Sequence, residues 1–111
     1  MIELVAIDGG YDSPDLEIRQ RIPLSSKGKR TRQFVARRDG VEIGFVSIDE
    51  IPEMSCLALC ELFVPTRLRG SGFGRSLLNA VEARAHARGY EFVGTSGLAR
   101  SMCLALATKL A

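Results

Sequence analysis

One segment of this sequence constrains the fold more than any other: an apolar run that leads through a glycine-rich turn into an amphipathic pattern. Residues 57–64 are apolar except for Glu61. A run without polar alternation is typical of a central strand covered on both faces. Glycines follow at positions 70, 72 and 74, and from Gly72 to Gly89 apolar residues recur at helical spacing. The pattern predicts a strand, a turn and a helix that Gly89 caps.

A strand that enters a helix through glycines is suited to bind an anion. The first amides of a helix lack intrahelical partners, and the helix dipole adds partial positive charge beside them. Glycines let the backbone approach a phosphate closely, and Arg69 and Arg75 flank the turn. The dinucleotide fingerprint does not fit, because Arg75 follows Gly74 and the third glycine is misplaced. The phosphate loop of nucleotide hydrolases does not fit either, because the nearest match, residues 74–76, has no lysine.

The remaining patterns complete a single domain over residues 1–111. A hairpin is predicted around Asp39-Gly40, since both turn residues tolerate positive φ. Ser13 is the predicted cap of a short helix that Pro23 stops. A basic loop spans residues 25–32. The other predicted elements are strands at 2–7, 33–38, 41–48 and 90–95, and a last helix at 98–110.

The glycine segment resembles the signature of GCN5-related N-acetyltransferases, written R/Q-x-x-G-x-G/A. It matches as Arg69-Gly70-Ser71-Gly72-Phe73-Gly74. Leu62-Phe63-Val64 resembles the end of the family's aromatic-containing strand, and Leu77-Leu78 resembles the apolar pair that opens its helix. The resemblance implies an α/β (α+β) fold, with a mixed, mostly antiparallel sheet of about five strands flanked by helices.

The resemblance also implies a cosubstrate and a reaction. Acetyl-CoA would lay its pantetheine arm along a strand that usually carries a bulge, at Leu62, Phe63 and Val64. Its pyrophosphate would bind the amides and side chains of the turn: Arg69, Gly70, Ser71, Gly72, Phe73, Gly74 and Arg75. A primary amine, on a small molecule or a peptide, would attack the thioester directly in a ternary complex.

Glu61 is the candidate catalytic residue, because it is the lone carboxylate in the apolar strand. An unpaired buried carboxylate is costly, so Glu61 should face solvent, a cleft or a cation. It is either a general base or amine-binding group, or a partly exposed residue paired with an arginine. For Phe73 we expect packing rather than chemistry.

Two departures from the family pattern keep a second function open. Aligning Lys109-Leu110 with the family's common ending puts Ala107 where many members have a catalytic tyrosine, and the only tyrosines are Tyr11 and Tyr90. The chain is therefore an acetyltransferase or a catalytically weak or inactive module that binds acyl-CoA.

The family usually continues into two further strands. The end at Ala111 thus predicts an exposed sheet edge that a second copy, as in a homodimer, or another partner covers; the alternative is a small monomer in which the first strand or the last helix folds over the edge.

Composition argues against several other classes of protein. The net charge of +2 is too small to imply a nucleic-acid partner by itself, and the basic loop lacks interleaved aromatic residues, so a nucleic-acid-associated protein is a third and weaker alternative. No signal peptide or long apolar run is present, so we expect a soluble, cytoplasmic protein. Cys56, Cys60 and Cys103 have no framework spacing, and His86 is the only histidine. Disulfides and a metal site are therefore not expected.

Overall fold

The computed structural model describes residues 1–8, 10–25 and 27–93. Their strands, β1 to β5 in chain order, are Ile2–Ile7, Thr31–Arg38, Val41–Ile51, Cys56–Phe63 and Glu91–Val93. The strands form one sheet in the order β1-β2-β3-β4-β5, antiparallel except for the parallel pair β4 and β5. This mixed, mostly antiparallel sheet with flanking helices confirms the predicted fold class. The predicted helix at 98–110, the end of the fifth predicted strand, Cys103 and Ala107 lie outside the described residues.

The hairpin between β2 and β3 forms where the Asp39-Gly40 pair predicts it. The two turn residues have φ values of 53° and 80°, so both lie in the left-handed region. This turn type matches the right-handed twist of the strands it joins. β3 runs to Ile51, three residues beyond its predicted end.

Helix α1, Leu16–Arg21, begins later than its predicted cap, Ser13. The cap is Asp15, whose carboxylate accepts a hydrogen bond of 3.0 Å from the Ile18 amide. Ser13 instead donates its hydroxyl to the buried carboxylate of Glu42. The Ser13 Oγ also accepts a hydrogen bond of 3.1 Å from the Asp15 amide, but the helix begins only after Asp15, so the prediction of Ser13 as the cap was wrong.

The sheet separates two apolar layers. Val35 alternates with Phe34 and Ala36 along β2, so the two sets of side chains point to opposite faces. One face packs against helix α2, Phe73–Ala87, through Phe34, Ala36, Ile43, Val46, Ile48, Leu57, Leu59, Leu77, Val81 and Ala85. The other face packs against α1 and the 3₁₀ turn Ile22–Leu24 through Ile18, Ile22, Val35 and Phe45.

The orientation of α2 agrees with its sequence pattern. Its buried residues are Leu77, Val81 and Ala85, while its exposed residues include Arg75, Asn79, Glu82 and His86. The helix ends where predicted. The Gly89 amide donates to the His86 carbonyl at 3.0 Å, and the Tyr90 amide donates to the Ala85 carbonyl at 2.9 Å.

Candidate functional site

The glycine turn, residues 69–75, leads from β4 into the first turn of α2. Gly70 and Gly72 have φ values of 82° and 84°, which residues with a Cβ adopt only with strain. The first bond of the helix joins the Ser76 amide to the Gly72 carbonyl at 3.1 Å. Within the described residues, the amides of residues 70–75 have no hydrogen-bond acceptor. The turn therefore presents a run of available donors at the positive end of a helix dipole.

The two arginines of the turn lie in different surroundings. The Arg69 Nε donates to the Val64 carbonyl at 3.0 Å, and its guanidinium lies 5.7 Å from the ring centre of Phe63. Arg75 is exposed in the first turn of α2. Arg69 is thus fixed between the end of β4 and the turn, while Arg75 extends into solvent. Phe73 packs against the α2 layer of the core, which agrees with the expected packing role.

A bulge in β4 decides which way the candidate residues face. Ser47 pairs with Glu61 and Ile48 with Leu59, so Cys60 is the one extra residue that forms the bulge in β4. Before the bulge, Leu59 faces the α2 layer. After it, Leu62 and Val64 face that layer instead, and Phe63 faces the α1 layer. The bulge therefore turns Glu61 and Phe63 towards α1.

Glu61 is paired with an arginine of α1. Its carboxylate accepts a hydrogen bond from the Arg21 Nε, and the side chains are 17% and 42% exposed, respectively. This hydrogen bond raises the pKa of Arg21, and the charge of Glu61 adds to the effect. The Arg21 guanidinium also lies 6.0 Å from the ring centre of Phe63. The structure thus places Glu61 in an ion pair beside the strand end that resembles a coenzyme site.

Ser47 is a polar residue of the site that sequence reasoning missed. It lies directly across from Glu61 on β3, and it is fully buried. Within the described residues its Oγ has no hydrogen-bond partner. The sequence carries a signal for it, since Ser47 interrupts an otherwise apolar run at residues 43–48. Arg21 was also missed, and nothing in a short basic helix distinguishes it from its neighbours.

The carboxylates of α1 hold the segment that precedes the glycine turn. Glu17 accepts a hydrogen bond of 2.6 Å from the Thr66 amide, and Asp15 accepts one of 2.8 Å from Arg67. Burial of Asp15 opposes its charged form, but the Ile18 amide and Arg67 outweigh it and lower the pKa of Asp15. A groove of about 210 Å³ runs beside this contact, lined by Glu17, Gln20, Arg21, Leu24, Phe63, Thr66 and Arg69.

A larger cavity, of about 720 Å³, lies between α1 and the β2–β3 turn. Its buried carboxylate, Glu42, accepts hydrogen bonds from Tyr11 and Ser13, and Arg37 lies 3.8 Å away. Burial, and then the hydrogen bond to Glu42, raise the pKa of Tyr11. Because Glu42 already has hydrogen-bond partners within the fold, we assign the polar residues of this cavity a structural role and not a role in catalysis.

A metal site, a membrane-spanning helix or a free basic surface would indicate another class of function. No group of three or more potential metal ligands occurs in the described part of the chain. No helix that the structure describes is long and apolar enough to cross a membrane. The predicted basic loop ends earlier than expected, because Arg32 lies in β2. Arg30 pairs with Glu53 at 2.5 Å and Arg32 lies 3.6 Å from Glu50, so both cations are engaged within the fold.

Comparison with known proteins agrees with the fold described above. No curated protein sequence matches the chain significantly. An IAA acetyltransferase from Bacillus cereus ATCC 14579 matches at a TM-score of 0.58 and 20% identity, over 100% of this chain and 76% of that one. A GNAT family acetyltransferase from Elizabethkingia anophelis, solved with acetyl-CoA bound, matches at 0.59 and 17%, over 99% and 74%. A spermidine N-acetyltransferase chimera from Vibrio cholerae and hSSAT matches at 0.60 and 16%, over 97% and 77%.

At these identities the structural matches show the fold alone. The family itself is shown by sequence, because the family model described as "Acetyltransferase (GNAT) family" matches residues 3–101. That match includes β4, the glycine turn and α2. This chain therefore belongs to the GNAT acetyltransferase family.

Proposed function

We propose that this protein transfers an acetyl group from acetyl-CoA to a primary amine, by direct attack of the amine in a ternary complex. One observation carries the proposal: a glycine turn with available amides follows directly on a bulged strand, in a chain of the GNAT family. The acetyl-CoA bound in the Elizabethkingia anophelis relative supports the same cosubstrate here.

The proposed coenzyme position follows the backbone of the site. The pyrophosphate binds the amides of residues 70–75, and Arg69 and Arg75 supply charge-assisted contacts. The pantetheine arm pairs with the edge of β4 at Leu62, Phe63 and Val64, as an added strand would. The opposite edge of β4 is occupied there, since Leu62 pairs with Val46 and Phe63 with Phe45 on β3.

The reaction needs an acceptor nitrogen, a proton acceptor and oxyanion stabilisation. The acceptor ammonium gives one proton to Glu61, directly or through water, and the neutral amine attacks the thioester carbon. The new C–N bond produces a tetrahedral oxyanion, which a backbone amide near Phe63 stabilises. Collapse breaks the C–S bond, and the second proton of the nitrogen passes through water to the thiolate. The products are an amide, coenzyme A and one released proton.

The Arg21 contact favours the alternative of a non-catalytic acyl-CoA-binding module, because it occupies the candidate base. Turnover distinguishes the two functions. Release of free thiol from acetyl-CoA with any amine in a screen of amino acids, polyamines, peptides and aminoglycosides supports the enzyme. Coenzyme binding without thiol release across the whole screen would select the module.

The coenzyme site is tested by a charge placed in the turn without backbone strain. Ser71 is exposed and has no positive φ, so Ser71→Glu adds only a carboxylate where the phosphate is proposed. We expect calorimetry to show binding of acetyl-CoA by the wild type and at least a tenfold loss in the variant. Ser71→Gln, of similar shape and no charge, is the matched control. Equal binding by both variants would contradict the assignment of the turn.

The predicted homodimer stays a prediction. It rests on the sheet edge formed after Val93, which lies outside the described residues.

A further inference from the structure

Three polar side chains meet on the α1 face of the sheet, next to the proposed path of the coenzyme. Arg21 comes from α1, Glu61 from β4 and Ser47 from β3. Arg21 lines the same groove as Phe63 and Arg69. Glu61 precedes Phe63 by two residues on the same face, a separation of roughly 7 Å along a strand. The cluster therefore adjoins the place where the thioester is proposed to lie.

The charges of this cluster are balanced. Arg21 contacts Glu61 directly, so the pair carries no net charge. The other charged groups of the groove have separate partners, since Glu17 accepts from the Thr66 amide and Arg69 donates to the Val64 carbonyl. A ligand that carried only positive charge would have to separate Arg21 from Glu61 and leave the guanidinium without its anion. Such a loss is costly in a partly buried site.

A ligand with both charges avoids that cost. The ligand's ammonium replaces Arg21 at the Glu61 carboxylate, and the ligand's carboxylate binds the displaced Arg21 guanidinium. The single Arg21–Glu61 ion pair is thereby replaced by two ion pairs with the ligand. Arg21 is 42% exposed and has a long side chain, so it can turn towards such a ligand without leaving the groove.

The hydroxyl of Ser47 points to the same kind of ligand. It is fully buried, and it lies opposite Glu61 without a hydrogen-bond partner among the described residues. A buried hydroxyl without a partner destabilises a protein, so a donor such as the ammonium of a bound acceptor would stabilise it. An ammonium has three donors. One binds Glu61, and a second binds the Ser47 Oγ, to which displacement of Arg21 must open access because Ser47 is fully buried.

We infer that the acceptor is a zwitterionic amine, that is, an amino acid or a peptide with a carboxylate close to its reacting amine. Arg21 binds the carboxylate and sets specificity, while Glu61 and Ser47 bind the ammonium. Binding of the carboxylate also removes Arg21 from Glu61, so the base is released only when the correct acceptor is present. This inference rests on the proposed function.

The test compares each amino acid with the amine that lacks only its carboxylate: phenylalanine with phenethylamine, histidine with histamine, lysine with cadaverine. We expect wild-type kcat/KM to be roughly 10- to 100-fold higher for the amino acids, the range for one charge-assisted hydrogen bond. Arg21→Gln should remove this preference without weakening acetyl-CoA binding, and Arg21→Lys should restore part of it. Arg19→Gln is the matched control on α1, since Arg19 is 3.9 Å from Asp12 and pairs with no other residue in the described part of the chain.

The results separate this inference from the proposed function. Wild-type turnover of the amines at rates equal to or above those of the amino acids would overturn the inference and leave the proposed function standing. An equal loss with both substrate classes in a folded Arg21→Gln variant would overturn it as well. Absence of acetyl-CoA binding by the wild type would overturn the proposed function itself, and the inference with it.

Discussion

Gly44 of β3 lies directly beneath Leu77 of α2. A Cβ added at Gly44 would be 2.4 Å from the Leu77 Cδ2 and 2.8 Å from the carbonyl oxygen of Phe63. Real carbon atoms do not approach that closely, and the second neighbour is backbone that cannot rotate away. The absence of a side chain at this one position therefore lets α2 and the end of β4 approach β3 together. These two elements also carry the proposed coenzyme site.

The first prediction is that Gly44→Ala destabilises the fold. The added methyl group must displace Leu77 and shift the backbone at Phe63. Overpacking of this kind costs about 1–3 kcal/mol of unfolding free energy. Urea denaturation measured by circular dichroism provides the value. We also expect weaker acetyl-CoA binding, because the shift moves β4 relative to the glycine turn.

Gly74→Ala is the stability control for this variant. Gly74 is helical without positive φ, and an added Cβ meets nothing within 4 Å. Alanine should leave stability unchanged or raise it by about 0.4–1 kcal/mol. A Gly44→Ala variant as stable as the wild type would show that the approach of α2 to β3 is not tight.

The main elements could be predicted from the sequence because local signals determine them. Asp39-Gly40 fixed a turn through the φ values that it permits, and the spacing of Leu77, Val81 and Ala85 fixed the buried face of α2. The hydrogen bond from Ser13 to Glu42 could not be predicted, because Glu42 lies on a strand 29 residues away in sequence. Such a contact forms only once the chain has folded.

The candidate site also has a part that the sequence predicts and a part that it does not. The glycine turn was predictable, since Gly70 and Gly72 act through the backbone near them in sequence. Pairing of Glu61 with an arginine was one of the two expectations, but Arg21 could not be identified as the partner, because the two residues are 40 positions apart and meet through the bulge at Cys60. In a regular strand, without the bulge, Glu61 would face the same side as Leu59, towards α2.

The second prediction concerns the base. Glu61→Gln keeps the shape of the side chain and its contact with Arg21 but cannot accept a proton. We expect kcat to fall by roughly 10² to 10⁴, the usual contribution of a general base. Acetyl-CoA affinity should change little, because no coenzyme phosphate is proposed at this position. Steady-state kinetics of thiol release across pH, with calorimetry, measure both quantities.

Glu82→Gln is the matched control for the base, since Glu82 is exposed on α2 and away from the groove. It should keep the wild-type rate. If Glu61→Gln retains the wild-type dependence of kcat on pH, another group or water removes the proton.

The third prediction concerns Glu50, a buried carboxylate that joins the sheet to the second half of α2. Arg84 donates to it twice, at 2.9 and 3.0 Å, and Arg32 and Arg88 lie 3.6 and 3.7 Å away. Glu50→Gln leaves three guanidinium groups without their anion. We expect the unfolding free energy to fall by about 1.5–3 kcal/mol, as for a hydrogen bond to a charged group. A loss no greater than that of Glu82→Gln would contradict a stabilising role for this network.

The last prediction is a dependence of stability on pH that arises at Asp15. The pKa of this carboxyl lies below its ordinary value of 3.8 in the folded protein. A lowered folded-state pKa gives stability that is present above the unfolded value and is lost as the pH falls through the folded one. Asp15→Asn still caps α1, since asparagine is a good cap, but it has no charge to lose. The stability difference between wild type and variant should therefore be largest at neutral pH and shrink below about pH 4. Urea midpoints from pH 7 to pH 3 measure it, with Asp12→Asn, at a side chain 83% exposed, as the control. A difference between wild type and Asp15→Asn that is the same at pH 3 as at pH 7 would show that the Asp15 charge contributes nothing to stability.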